Sequence, residues 1–133
     1  MVNLTDDQVD KIREWAAQTR YVKEVRLFGS RAKGSARPDS DIDLAITVGG
    51  SDDGVVRGNY FAVGPEWQRQ LSDLLGLNAH VGCYNDPDTD AVRRSCDECS
   101  LILFQRHASP WPRSARRTKI SGPTCRGDHE GRL

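Results

Sequence analysis

A chain of 133 residues has the length of one ordinary domain, and its 19 basic and 19 acidic side chains cancel. Bulk charge therefore points to neither a nucleic acid nor a membrane surface, and no apolar stretch approaches the roughly 20 residues of a membrane span. The opening Met1-Val2-Asn3-Leu4-Thr5-Asp6-Asp7 is acidic and lacks an apolar run, so no secretory leader is expected and a cytoplasmic location is.

Thr5 stands before an apolar series at Val9, Ile12, Trp15 and Ala16. With Gln8 three residues on and Asp6 and Asp7 in the first turn, the spacing predicts a capped helix over about 6–19. Val22, Val25, Leu27 and Phe28 predict a strand over 22–28 that ends at Gly29. Ser30 to Ser35 is short and polar, a turn or a single helical turn. Pro38 makes Arg37-Pro38-Asp39-Ser40 a loop, because it disfavours helix in its predecessor. From Asp41 to Val48 the residues alternate. Asp41, Asp43, Ala45 and Thr47 lie on one face, and Ile42, Leu44, Ile46 and Val48 on the other, as in a strand with one well-buried side.

Gly49 to Gly54 breaks that strand, and Val55 to Gly64 carries no decisive pattern. Pro65 suits the first position of a helix, Trp67, Leu71, Leu74 and Leu75 give it helical spacing, and Gly76 supplies the stop. Asn78 to Tyr84 reads as a third strand, Asp88 to Arg94 as a short helix, and Leu101 to Phe104 as a fourth strand. Trp15, Phe28, Trp67 and Leu71 are expected in the core. Tyr60 and Phe61 are expected there too, with the wall of a base pocket as the alternative.

After Arg106 the pattern stops. Up to that residue 13 basic side chains face 17 acidic ones, and beyond it 6 face 2. The expected organisation is a domain over 1–106 and a basic, disordered tail over 107–133. An electrostatic arm for nucleic acid is the less favoured role for the tail, and nucleic acid is not the expected partner.

Two stretches carry chemistry: Gly29-Ser30-Arg31-Ala32-Lys33-Gly34, and Ser40-Asp41-Ile42-Asp43-Leu44. Gly29 lets the backbone turn sharply and lets a ligand approach closely. At Ser30 a helical turn opens with unpaired N–H groups on which a phosphate can dock, and Arg31 and Lys33 are expected to add positive charge. Asp41 and Asp43 leave the strand by the same face. Two carboxylates held so close repel each other, and a divalent cation such as Mg2+ relieves that, completing its shell with triphosphate oxygens and water. A Gly-Ser pair or a D-x-D means little alone, but the two joined by a short loop are far rarer.

Gly29-Ser30-Arg31-Ala32 with Ser40-Asp41-Ile42-Asp43-Leu44 resembles the core motif of the minimal nucleotidyltransferase family, within the DNA polymerase beta-like superfamily. The resemblance extends over about 5–106. It implies an α+β fold, a mixed sheet of about four strands flanked by helices. It also implies transfer of a nucleoside monophosphate, AMP from ATP, to a hydroxyl of a protein partner. Small members of the family act as antitoxins beside a HEPN-type toxin ribonuclease.

The family places a third carboxylate on the later strand. Here Leu77-Asn78-Ala79-His80-Val81 puts His80 at that position. Three roles stay open for it: a general base, a ligand for a softer ion such as Mn2+, or the mark of a site that holds nucleotide or masks a partner without turnover. Cys96-Asp97-Glu98-Cys99 is a single C-x-x-C, weak as a zinc or redox signal, and reads better as small residues near a helix end.

Overall fold

The computed structural model describes residues 3–106 and 124–125. Helix α1 spans Asp6–Gln18, and its start is the expected capping box. The Gln8 amide donates to Thr5 Oγ1 at 3.1 Å while the Thr5 amide donates to Gln8 Oε1 at 2.9 Å. Val9, Ile12 and Ala16 form its buried stripe. Strand β1 follows at Val22–Phe28, then the single-turn helix α2 at Ser30–Lys33, then strand β2 at Ile42–Val48.

Helix α3 runs over Asp53–Leu75, much longer than expected. Pro65 lies inside it rather than opening it. The true start is Asp52, whose carboxylate accepts the Val55 amide at 3.0 Å. From there Val56, Tyr60, Val63, Trp67 and Leu71 recur on the inward face and pack into the core. That burial outweighs the hydrogen bond lost at the proline.

Strand β3 is Ala79–Cys83, helix α4 Ala91–Glu98 and strand β4 Cys99–Gln105. Helix α4 starts later than the expected Asp88. A two-residue strand, β5 at Thr124–Cys125, pairs with Cys99 and Ser100. The remainder of the expected disordered tail lies outside the described residues.

The sheet order is β3-β2-β1-β4-β5. Among the described residues, β2 and β3 alone run parallel and the other neighbouring strands are antiparallel, so the sheet is mixed as expected. Helices α1 and α3 pack with the Ile42, Leu44 and Ile46 side of β2 to form the core. Ala45, on the other side of β2, is buried as well. Helix α4 covers that second face, with Val92 so close to Gly82 that a Cβ there would stand 2.8 Å from it. Strand β3 is an edge, and α3 closes it. Ser72 Oγ accepts the Ala79 amide, Gln68 Oε1 accepts the Val81 amide, and the Tyr60 hydroxyl donates to the Val81 carbonyl. Among the described residues no helix is long and apolar enough to cross a membrane.

Candidate functional site

The alternation of β2 sends Asp43 to the face that α4 only partly covers, and the sheet register sets its neighbours. Phe28 of β1 stands on one side of Asp43 and His80 of β3 on the other. Asp41 lies just before the strand, and its Oδ2 is 2.8 Å from His80 Nε2. Both side chains are about half exposed, at 50% and 52%. The first two aspartates of the motif and the histidine at its third position therefore meet at one open end of the sheet.

Gly29 is the hinge of this arrangement. Its φ of 76° and ψ of −156° suit glycine and little else. A Cβ built there would lie 2.3 Å from Asp43 Oδ2. The Asp43 carboxylate thus occupies the space that any side chain at Gly29 would need. The end of β1 and the second aspartate of the D-x-D therefore lie side by side. After Gly29 the chain makes one helical turn, with the Lys33 amide returning to the Gly29 carbonyl at 3.2 Å. The earlier amides of that turn have no partner within the helix by its geometry. Ser30 is half-buried and Lys33 exposed, both beside this turn.

Electrostatics follow from the packing. Burial pushes the Asp43 carboxyl above the usual aspartate range; nearby His80 pulls it down, and the charge of Asp41 pushes it further up. The pair is thus a site of concentrated negative charge that a cation would relieve. Among the described residues, no three or more His, Cys, Asp and Glu side chains are grouped to hold a metal ion by themselves. Magnesium is commonly held by one or two carboxylates with substrate phosphates completing its shell, so Asp41 and Asp43 fit such an ion.

Arg31 does not join the site in its expected role. It is 4% exposed. Its Nε, Nη1 and Nη2 donate to the carbonyls of Asn3, Pro38, Ser40 and Asp41. A guanidinium committed inward in this way is not presented to a polyphosphate.

Asn78 was not singled out from the sequence, yet its Nδ2 is 3.2 Å from His80 Nε2. The signal was its i, i+2 spacing from His80. Phe61 corrects the core expectation, since it is 66% exposed. Tyr60 is partly buried and packs against the core, so it fits the packing alternative. The cleft of about 420 Å³ beside Trp15 and Trp67 contains none of the expected site residues. Cys96 and Cys83 are free and buried, and burial pushes each thiol up to about 11. Cys99, by contrast, is disulfide-bonded, so Cys96 and Cys99 do not act as a C-x-x-C unit.

The family model described as a nucleotidyltransferase domain matches residues 9–94, a span that includes the Gly29 turn, both aspartates and His80. The chain belongs to the nucleotidyltransferase domain family. No match is found among curated proteins. Among solved structures, the chain resembles one described as "Crystal structure of the toxin-antitoxin with AMP-PNP". The identity is 18%, the TM-score 0.56, and the match covers 74% of each chain. At that identity the likeness supports the nucleotidyltransferase fold, the α+β architecture expected from the motif.

Proposed function

We propose that this nucleotidyltransferase transfers AMP from ATP to a hydroxyl group of a protein partner, in the cytoplasm, as the antitoxin of a toxin–antitoxin pair. The observation that carries the proposal is the closeness of the Asp43 carboxylate to Gly29, which sets an acidic side chain against the opening turn of α2. Asp41 and Asp43 would hold Mg2+, or Mn2+ with His80 beside them. Such an ion supplies neutralisation of the charge that develops on the triphosphate.

The chain's own residues do the rest. The Gly29–Ser30 turn offers amides to the phosphates, and Lys33 lies nearby as an exposed cation. The acceptor oxygen bonds to the α-phosphorus, the bond to the bridging oxygen breaks, and pyrophosphate departs. The hydroxyl proton goes to His80. If Nε2–H is given to Asp41, Nδ1 carries the lone pair that takes it. The solved relative's description names a toxin–antitoxin and AMP-PNP, and this supports the choice of a protein partner and of an adenine nucleotide. A HEPN-type toxin ribonuclease is the proposed partner.

The test is incubation with α-labelled ATP, Mg2+ and the co-encoded protein. The label should pass to the partner and be lost in Asp41→Ala with Asp43→Ala. Equal labelling by the double variant rejects the mechanism. One observation favours a second reading: His80 engages an Asp41 oxygen that a cation would use. In that reading the protein masks its partner by contact alone, and the folded double variant still neutralises the toxin.

A further inference from the structure

Among the described residues, Arg31 is the one charged side chain that is buried. A buried charge is costly unless it is fully hydrogen-bonded. What faces this guanidinium is a set of main-chain carbonyls. Nε donates to Ser40 O at 3.2 Å and Asp41 O at 3.3 Å. Nη1 donates to Asn3 O at 2.8 Å, and Nη2 to Pro38 O at 2.9 Å and Ser40 O at 2.8 Å. These carbonyls come from two stretches far apart in the chain, the segment before α1 and the loop before β2.

Both stretches are also tied to each other's neighbours. The Asn3 amide donates to Arg31 O at 2.9 Å, and Asn3 Oδ1 accepts the Ala36 amide at 3.0 Å. Within the loop, the Arg37 amide donates to Ser40 Oγ at 2.9 Å and the Ser40 amide to Arg37 O at 3.0 Å. The loop over 34–41 is therefore wrapped around one planar fork. A lysine ammonium is a compact point of charge and cannot reach carbonyls in that fan.

We infer that Arg31 is a positioning residue for Asp41. By gripping the carbonyls of Ser40 and Asp41 it sets the backbone from which the Asp41 carboxylate reaches His80 and the neighbourhood of Asp43. Asn3 completes the grip, so the segment before α1 is coupled to the site. The consequence for ligand binding rests on the proposed function, whereas the grip itself does not.

The experiment uses the full chain, Arg31→Lys and Arg31→Gln. In 15N-labelled wild type, the Arg31 guanidinium signals should exchange slowly and stay in place when Mg2+ and ATP are added. In Arg31→Lys the amides of Asp39, Ser40 and Asp41 should exchange at least about tenfold faster, the equivalent of one lost hydrogen bond. Metal-dependent ATP affinity should fall about 10- to 100-fold in both variants, the usual effect of losing an outer partner of a ligand. Wild-type affinity and exchange in the lysine variant would overturn the inference, because a charge role is rescued by lysine and a fork is not. Guanidinium signals that move on addition of Mg2+ and ATP would overturn it too, even if neither variant folds. Should the wild type bind no metal–triphosphate, the proposed function fails, and the exchange rates alone decide whether Arg31 holds Asp41.

Discussion

Replacing Gly29 by alanine tests the contact on which the site is built. Two costs are separable in the structure. The backbone at φ 76°, ψ −156° is a region that L residues avoid, and holding one there costs about 1–3 kcal/mol. The new Cβ would also stand 2.3 Å from Asp43 Oδ2, 3.2 Å from its Cγ and 3.4 Å from its Cβ. The carboxylate must move. In an Asp43→Ala background the first two atoms are gone and the remaining 3.4 Å approach is an ordinary contact. There, Gly29→Ala costs only the backbone term.

The two substitutions should therefore couple, by about 0.5–3 kcal/mol, with the double variant more stable than the sum of the singles. Thermal melts of the four proteins read this, at about 4 °C per kcal/mol for a domain of this size. Triphosphate binding provides a parallel readout, because displacing Asp43 in Gly29→Ala alone should also remove metal-dependent ATP affinity. If Gly29→Ala costs the same in both backgrounds, the carboxylate does not rest on the turn, and the site as described is wrong.

Asp43→Asn should stabilise the metal-free protein at pH 7. The folded state holds the Asp43 proton more tightly than the unfolded state does. Stability from this residue therefore falls as pH rises from the ordinary aspartate value towards the raised one, and asparagine has no such loss. The advantage should vanish below about pH 3, where both states are protonated; an asparagine variant less stable at pH 7 would contradict the burial argument. Pro65→Ala should raise the urea midpoint, because Pro65 is exposed within α3 and a mid-helix proline costs about 3 kcal/mol relative to alanine; a lower midpoint would mean that the ring itself is needed there. Tyr60→Phe leaves the Val81 carbonyl without the hydroxyl that bonds it at 3.2 Å, a loss of about 1 kcal/mol by equilibrium unfolding. An unchanged stability would show that the edge of β3 does not depend on that bond.

Much of the fold was legible because it is written in local periodicity. Thr5 and Gln8 announce α1, the run 22–28 is β1 as read, and the alternation after Asp41 is β2. The start of α3 was hidden. Gly54, Gly58, Gly64 and Pro65 blur the helical signal, and only the inward packing of Val56, Tyr60 and Trp67 restores it. Strand β5 has two residues and no pattern of its own; it exists through its pairing with β4.

For the site the division is sharper. Residue spacing alone put Asp41 and Asp43 on one face and ended a strand at Gly29, because a strand's side chains alternate whatever it packs against, whereas His80 at the third position was implied by the family resemblance. The role of Arg31 could not be read that way. A basic residue beside a Gly-Ser turn looks like a phosphate partner, yet its donors go to carbonyls as distant in sequence as Asn3, 28 positions away. Whether a charge faces a ligand or is wrapped by backbone depends on which segments the fold brings over it. That is a property of the packed chain, because the cost of burying the charge is met by groups with no sequence relation to it.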